Sequence, residues 1–276
     1  MGYAGESLRR AVLRLAEELR CVSGDEAHYE ASLMLEEVTG RDRLELLTDI
    51  TAPLGLEQAD RLEDMLKRRL EHEPLQYILG SWELMGLSLY VGEGVLIPRQ
   101  DTETVIETAL GIAAEKGCRT ALDLCCGSGC IGTALAKLGG LCVTMADISP
   151  VCLETAAKNA ERNGVSARVL HSDLFDGIEG KFDLIVCNPP YIPTGVLPTL
   201  SDEVKREPML ALDGGADGLD FYRRIAAEYQ KYLNKNGALV LEIGFDQGES
   251  VPMLFRGKRV KVIKDLNLKD RCVTVQ

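Results

Sequence analysis

The sequence lacks any apolar run close to the roughly 20 residues that a membrane-spanning helix needs. Its first 20 residues, MGYAGESLRRAVLRLAEELR, have helical periodicity but contain no apolar stretch of the kind found in secretory signals. We therefore expect a cytoplasmic protein with no membrane partner. Hydrophobic residues make up 46% of the 276 residues and charged residues 27%, which is typical of a globular chain.

Positive charge, histidine and paired cysteine are also scarce. The net charge of −12 disfavours non-specific binding to DNA or RNA, because such binding depends on Lys and Arg that neutralise phosphates. With three histidines and no partnered nucleophile, a Ser/His/Asp hydrolase has little support. The nine cysteines include no CxxC pair, and the spacing of Cys125, Cys126 and Cys130 matches no structural zinc pattern. We expect reduced thiols and no metal site.

The first part of the chain, which we assign to residues 1–74, shows helical periodicity. Apolar residues recur at helical spacing from Leu8 to Leu19, a second segment over 25–39 ends at Gly40 as its C-cap, and a third covers 56–72. Over residues 1–85 acidic residues outnumber basic ones 18 to 10. We therefore expect a small all-helical domain that docks a protein partner rather than nucleic acid.

The rest of the chain predicts a linker and an α/β domain. Residues 75–97 form the linker, with a β-hairpin over 76–97, and residues 98–276 form the second domain. A helix is predicted over 101–116, capped by Asp101 or Thr102. Strands are predicted at 120–125, 141–146, 167–171, 182–187, 237–243, 259–264 and 271–275. Their alternation with helices predicts a mostly parallel sheet covered on both faces, with the last two strands antiparallel at its edge.

The stretch DLCCGSGCI, residues 123–131, carries the first chemical motif. A strand ends at Asp123-Leu124, and Gly127-Ser128-Gly129 then turn the chain into a helix, so that the backbone can pass close to a ligand. The dinucleotide fingerprint is not met, because Cys125 occupies its first glycine position, and no lysine follows as in a P-loop. The alternative interpretation is a tight turn that packs a helix on the sheet.

Acidic residues follow the next two strands. Asp147, 24 residues after Asp123, fits a carboxylate that accepts the two ribose hydroxyls of a nucleoside cofactor. It can instead cap the following helix, although Ser149 is able to do so. Asp173 and Leu174 follow the third strand, where they can border an adenine. A glycine loop followed by two acids indicates S-adenosylmethionine rather than NAD.

The stretch FDLIVCNPPYI, residues 182–192, ends a core strand at Asn188-Pro189-Pro190-Tyr191. An amide or aromatic amino nitrogen is a poor nucleophile, because its lone pair is delocalised. Two acceptors, the Asn188 side-chain oxygen and the Pro189 carbonyl, can hold its N–H groups and direct the lone pair at a methyl group, while Tyr191 packs on the planar group. Catalysis then consists of positioning and electrostatics. The alternative is a proline-stiffened turn.

With these motifs the chain resembles the HemK/PrmC family, the protein-(glutamine-N5) methyltransferases of peptide chain release factors. The resemblance covers nearly the whole chain, and NPPY alone is shared with DNA adenine and some RNA guanine N-methyltransferases. The stretches PRQDTE and EPMLALDGGADGLD are more specific to the glutamine enzymes. The motifs that occur in the order of that family are EPLQYILG (73–80), VLIPRQDTE (95–103), DLCCGSGCI (123–131), DLFD (173–176), NPPYI (188–192), EPMLALDGGADGLDFYRRI (207–225) and LEIGFDQG (241–248).

The resemblance implies a Rossmann-like class I methyltransferase domain that uses S-adenosyl-L-methionine, preceded by a helical domain that docks the release factor. It further implies that the Gly-Gly-Gln loop of a release factor is the substrate, with no DNA partner, and we expect a monomer. The implied residues are Cys125, Cys126, Gly127, Ser128 and Gly129 at the methionine part of the cofactor, Asp147 at the ribose, Asp173 and Leu174 beside the adenine, Asn188 at both cofactor and substrate, Pro189, Pro190 and Tyr191 at the glutamine amide, and Arg99, Thr102 and Glu103 closing the cofactor pocket.

One departure from the family concerns Cys125-Cys126, where glycine and then threonine are usual. Cysteine disfavours a positive φ, so we expect a shifted loop or weaker cofactor binding. Two other functions remain open. A nucleic-acid N-methyltransferase needs a groove with phosphate contacts, which this acidic chain does not suggest. A non-catalytic binding protein is disfavoured by the intact NPPY stretch.

Overall fold

The computed structural model describes residues 2–276, and its chain divides into two compact units. The first comprises the residues up to Gly80 together with Asp202–Arg206, and the second comprises Ser81–Ser201 and Glu207–Gln276. Over the described residues, no helix is both long enough and apolar enough to span a bilayer. The domain limits predicted at residues 74 and 97 stay predictions.

The first unit is helical. Its core joins Leu15 and Leu19 of the first helix, Met34 of the second and Leu62 of the fourth, all of which are fully buried. Gly40 ends the second helix with a left-handed φ of 66°, as predicted. The helices are α1 (Leu8–Ser23), α2 (Ala27–Thr39), α3 (Arg43–Thr48), α4 (Leu56–Leu70) and α5 (Leu75–Leu79). The short helices α3 and α5 were not predicted, because neither is long enough to show a helical period.

The predicted hairpin over 76–97 is wrong in its extent. Its first residues belong to α5, which follows Pro74 and ends at Gly80 with a φ of 70°. The hairpin consists of β1 (Ser81–Leu84) and β2 (Leu87–Tyr90), which pair antiparallel. Met85 and Gly86 join these strands with φ values of 51° and 74°, the backbone that a tight two-residue turn requires. No strand continues beyond Tyr90, so residues 91–97 lie in a loop.

The second unit is built on a seven-stranded sheet, and all seven predicted strands are present. In spatial order the sheet runs β5-β4-β3-β6-β7-β9-β8. Strands β3 to β7 are parallel, and β9 pairs antiparallel with both β7 and β8, which confirms the predicted antiparallel pair at the edge. The strands are β3 (Thr120–Leu124), β4 (Cys142–Asp147), β5 (Ala167–His171), β6 (Phe182–Cys187), β7 (Leu233–Glu242), β8 (Val260–Lys264) and β9 (Asp270–Val275).

Helices cover both faces of this sheet because the buried strand residues alternate between two hydrophobic clusters. Leu184 and Val186 of β6 pack in one cluster with α6 (Asp101–Lys116), α7 (Cys130–Gly139) and α8 (Pro150–Arg162). Ile185 and Cys187 pack in the other with α9 (Asp220–Tyr232) and α10 (Ser250–Met253). The fold is therefore α/β, of the Rossmann-like kind. The order reverses between β3 and β6, where such sheets bind ligands at the carboxyl ends of their strands.

The predicted cap of α6 is wrong. Gln100 is the N-cap residue, and Asp101 and Thr102 are the first residues inside the helix. Their side chains are engaged elsewhere, because Asp101 pairs with Arg271 at 2.8 Å and the Thr102 hydroxyl donates to Glu242 at 2.8 Å. A tertiary contact has replaced the local capping bond at this helix.

Candidate active site

The glycine loop follows β3 and lies at the point where the strand order reverses. Its backbone is held by two hydrogen bonds, from Cys126 N–H to the Ala146 carbonyl at 3.1 Å and from Gly129 N–H to the Cys126 carbonyl at 2.7 Å. Gly127 and Gly129 have φ values of 53° and 74°. A Cβ on Gly129 would lie 2.7 Å from that of Ala156, whereas one on Gly127 would meet nothing within 4 Å. The loop is thus packed at Gly129 and open at Gly127, as a cradle for a ligand requires.

Cys125 keeps the backbone that a glycine would adopt here. Its φ is 55°, a left-handed value that costs a non-glycine residue roughly 1–2 kcal/mol. The loop therefore carries backbone strain at Cys125, and the expected shift of the loop relative to the family stays a prediction. A weaker cofactor affinity stays a prediction. The Cys125 side chain interacts with that of Cys187, and burial together with this neighbour raises the pKa of the Cys187 thiol.

Asp147, at the end of β4, joins its strand to the glycine loop. One carboxylate oxygen accepts the Gly127 N–H at 2.9 Å and the other accepts the Ser149 N–H at 2.9 Å. Ser149 itself caps α8, as predicted, by accepting the Cys152 N–H. A carboxylate has about four lone-pair sites, so Asp147 keeps capacity for ribose hydroxyls. That role stays a prediction, but the carboxylate does lie against the loop.

Asp123 lies in β3 shortly before the loop, and it was not predicted as a site residue. One of its carboxylate oxygens accepts the Gly132 N–H at 2.8 Å, and the other has no hydrogen-bond partner among residues 2–276. Complete burial raises the pKa of this carboxyl to about 7. A buried oxygen without a partner is costly, so the site fits a ligand that carries a hydrogen-bond donor or a positive charge.

The residues predicted beside the adenine follow β5. Leu174 is buried with a φ of 49°, and its carbonyl accepts the Ser172 hydroxyl at 2.7 Å. Asp173 pairs with Arg224 of α9 at 2.8 Å, and both side chains are more than 40% exposed. The Asp173 carboxylate therefore has a surface partner, and contact of these residues with an adenine stays a prediction.

The NPPY stretch begins where β6 ends. Pro189 and Pro190 are buried, whereas Asn188 and Tyr191 are partly exposed. The Tyr191 carbonyl accepts the Gln247 side-chain N–H at 3.1 Å, and the same amide donates to Gly218 at 3.2 Å. Burial raises the pKa of the Tyr191 phenol far above its usual range.

A second loop, residues 213–218, packs against this stretch. A Cβ on Gly214 would lie 2.8 Å from the Tyr191 Cα, and one on Gly218 would lie 2.3 Å from the Tyr191 carbonyl oxygen. Both contacts are closer than real Cβ atoms approach, so this part of the DGGADG sequence needs glycine. The diproline is thus held by a built support, which a simple surface turn would not need.

Glu242 ends β7 and was not predicted as a site residue. It is 2% exposed, and its carboxylate accepts the Thr102 hydroxyl at 2.8 Å. Burial raises the pKa of this carboxyl to about 7, against the opposing effects of Thr102, Arg271 and the Asn188 side chain. The sequence feature that could have identified Glu242 as a site residue is a single acid at the end of an apolar strand, in LVLEIG.

The three residues predicted to close the cofactor pocket have different surroundings. Arg99 pairs with Glu207, a buried carboxylate that also accepts the Ile97 N–H at 2.9 Å. Thr102 is buried against Glu242, and Glu103 is partly exposed in the first turn of α6. Their contact with a cofactor stays a prediction.

All nine cysteines are free thiols, and the residues from 2 to 276 contain no group of three or more His, Cys, Asp or Glu that is suited to hold a metal ion.

Comparison with known proteins adds to this geometry. Residues 6–80 match the family model described as PrmC N-terminal domain, and residues 109–198 match the Methyltransferase small domain. The release factor glutamine methyltransferase of Geobacter sulfurreducens is 43% identical over 84% of this chain and 82% of its own. That of Caulobacter vibrioides is 38% identical over 97% of this chain and 95% of its own.

A solved structure shares the fold. It is the 16S rRNA N2-guanosine methyltransferase of T. thermophilus in complex with AdoMet and guanosine, with a TM-score of 0.52 and 19% identity over 71% of this chain and 49% of that chain. The sheet topology together with the match to the Methyltransferase small domain defines the class of the chain, a methyltransferase that uses S-adenosyl-L-methionine. More particularly, its similarity to the curated relatives over nearly their whole length means that it belongs to the release factor glutamine methyltransferase family.

Proposed function

We propose that this chain transfers a methyl group from S-adenosyl-L-methionine to the side-chain amide nitrogen of the glutamine in the Gly-Gly-Gln motif of peptide chain release factors, and thereby modulates translation termination. The observation that carries the proposal is the supported Asn188–Tyr191 stretch at the carboxyl end of β6, beside the glycine loop of β3. The names of the curated relatives support the choice of substrate.

The cofactor site is expected to use residues that the structure already brings together. The open face of Gly127 would admit the cofactor, Asp147 would bind its ribose hydroxyls, and Asp123 offers an unpartnered carboxylate oxygen at the base of the loop. When bound, the cofactor supplies a methyl group on a positively charged sulfur.

The protein's contribution to the reaction is to position the glutamine amide. Asn188 and the Pro189 carbonyl accept its two N–H groups, so the nitrogen lone pair points at the methyl group, and Tyr191 packs on the amide plane. Transfer of the methyl group would form an N–C bond as the S–C bond of the cofactor breaks, and would leave S-adenosylhomocysteine. The methylated nitrogen is strongly acidic, so its extra proton passes to water and no charged base is needed beforehand. The work of catalysis is therefore orientation and electrostatics.

The partner and setting follow from the same proposal. The acidic helical unit would dock the release factor, and the chain would act as a monomer in the cytoplasm. The net charge of −12 gives no support for a DNA substrate.

The test is mass spectrometry of the Gly-Gly-Gln peptide from a purified release factor after incubation with the full chain and S-adenosyl-L-methionine. We expect one added methyl on the glutamine. Asn188→Ala should lower kcat by roughly a hundredfold or more while cofactor affinity changes little, because its bond matters most in the transition state. Asp147→Ala should do the reverse and mainly weaken cofactor binding in calorimetry.

Two outcomes would contradict the proposal. Wild-type turnover by Asn188→Ala would remove Asn188 from the reaction. Methylation of DNA or RNA, with no methyl added to the release factor, would instead identify a nucleic-acid methyltransferase.

A further inference from the structure

The side chain of Glu242 lies next to that of Asn188 because of strand register. Strands β6 and β7 are parallel, and Cys187 is aligned with Leu241. The next residue along each strand is Asn188 and Glu242. These two residues therefore come side by side at the carboxyl ends of adjacent strands, one partly exposed and the other 2% exposed.

A buried carboxylate is stable only if donors surround it. The Thr102 hydroxyl supplies one at 2.8 Å from α6, and Arg271 supplies favourable charge from β9. The Glu242 backbone carbonyl is separately satisfied by the Tyr222 hydroxyl at 2.8 Å. Strand register places the Asn188 side chain beside the same carboxylate, and this side chain favours the charged form of Glu242 by lowering the pKa of its carboxyl.

The direction of that last hydrogen bond can be worked out. An ionised carboxylate can only accept hydrogen bonds, so the Asn188 side chain that lies beside it in register acts as the donor. An asparagine side chain donates only through its nitrogen, Nδ2. With Nδ2 directed at Glu242, the oxygen Oδ1 is left for a substrate.

We propose that Glu242 is a positioning residue whose carboxylate holds Nδ2 of Asn188, so that Oδ1 faces the N–H of the glutamine amide to be methylated. The inference rests on the proposed function, because that function makes Asn188 the acceptor. Without Glu242 the amide can rotate by half a turn and present Nδ2 to the substrate, where two donors oppose each other. Thr102 has a supporting part, since its hydroxyl holds the carboxylate.

The kinetic test uses Glu242→Gln, Asn188→Ala and the double variant in the full chain, with saturating S-adenosyl-L-methionine and release factor. Glutamine keeps the volume of Glu242 but also carries a donor, so it no longer selects one orientation of Asn188. We expect Glu242→Gln to lower kcat by roughly tenfold to a hundredfold, the effect of one misplaced buried hydrogen bond. Cofactor affinity should stay within about twofold, since Asn188 adds little to it in the ground state.

The double variant separates positioning from a general structural role. If Glu242 acts through Asn188, the second substitution should change the rate of Asn188→Ala by less than about twofold. A loss of the same size in both backgrounds would overturn the proposal, as would an unchanged kcat in Glu242→Gln. Glu154→Gln is the control, because this exposed side chain of α8 pairs with the exposed Lys158, and its substitution should leave kcat unchanged.

Two further measurements keep the proposal testable if folding or the substrate fails. If Glu242→Gln unfolds, Thr102→Val removes the hydroxyl donor, and kcat should fall by several fold. The nitrogen-15 NMR signal of the Asn188 side-chain amide, assigned with Asn188→Ala, needs no substrate. Its protons should exchange slowly with water in the wild type and faster in Glu242→Gln. Equal exchange rates in the wild type and in Glu242→Gln would refute the orientation. Slow exchange in a wild-type chain that does not methylate release factors would support the orientation and refute only the proposed function.

Discussion

Two neighbouring arginines in α4 allow a sharp test of how burial sets the strength of an ion pair. Arg69 and Glu30 form a two-bond pair at 2.7 and 3.0 Å, with side chains 2% and 11% exposed. Arg68 and Glu73 form a similar two-bond pair at 2.8 and 2.5 Å, with side chains 37% and 29% exposed. Both pairs are two-bond arginine–carboxylate contacts that differ strongly in their access to water, and Arg69 also pairs with the partly exposed Glu203 at 3.1 Å.

We expect Arg69→Met to destabilise the helical unit by roughly 3–5 kcal/mol, because it leaves the Glu30 carboxylate buried without its charge partner. The Ser23 hydroxyl, which donates to Glu30 at 2.6 Å, compensates only in part. Arg68→Met should cost less than roughly 1 kcal/mol, since water solvates Glu73 once the arginine is gone. The measurement is urea unfolding followed by circular dichroism at 222 nm (a far-ultraviolet helix signal).

A third variant shows whether an unpaired charge is the cause. Glu30→Leu combined with Arg69→Met removes both charges, and it should recover much of the stability that Arg69→Met alone loses. Equal losses in Arg69→Met and Arg68→Met would refute the reasoning from burial. A double variant no more stable than Arg69→Met would show that lost packing, and not the buried charge, is responsible.

Further predictions concern the glycine loop and the acid before it. Gly129→Ala should destabilise the protein by roughly 3 kcal/mol, because an alanine there has a left-handed φ and its Cβ approaches Ala156 closely. Gly127→Ala should cost roughly 1 kcal/mol, because only the left-handed φ opposes it. Equal losses of stability for the two variants in denaturant unfolding would contradict the packing described. The raised pKa of Asp123, about 7, means that the folded chain holds this proton more tightly than the unfolded chain, so the stabilising effect is full at low pH and is lost as pH rises through about 7. Asp123→Asn should therefore be more favourable, relative to the wild type, at pH 8 than at pH 5, by roughly 2.5 kcal/mol in unfolding free energy, because about two pH units of the window lie between pH 5 and the folded pKa of about 7. The same difference at both pH values would contradict the assignment.

The parallel sheet was predictable because each of its buried strands is a short apolar run closed by a turn. Leu184 to Cys187 is such a run, and β6 indeed ends at Cys187. The hairpin was overextended because Tyr77, Ile78 and Leu79 favour strands by composition, yet they form the turn of helix between Pro74 and Gly80. Local propensity is weak evidence over five residues, where tertiary packing decides.

The cofactor side of the site was more visible in the sequence than the substrate side, for a physical reason. The glycine loop and Asp147 are close along the chain, and the hydrogen bond from Gly127 to Asp147 spans 20 residues. The bonds behind Asn188 join distant segments: the one from Thr102 to Glu242 spans 140 residues, and the one from Gln247 to Tyr191 spans 56. No spacing rule connects residues so far apart, since only the fold brings them together.

This difference in range also bears on how the site works. A cofactor with a fixed structure can be held by one loop and a nearby strand end. Under the proposed function the amide nitrogen must in addition be aimed at the methyl group, which would require Asn188 and the Pro189 carbonyl to be rigid together. Rigidity of that kind needs buried supports from several directions, and here Glu242 and Gln247 approach from the end of β7, while Thr102 approaches from α6. Buried polar groups are costly in a core unless each one is satisfied. Their concentration behind Asn188 is therefore best explained by the need to fix the direction of its side chain.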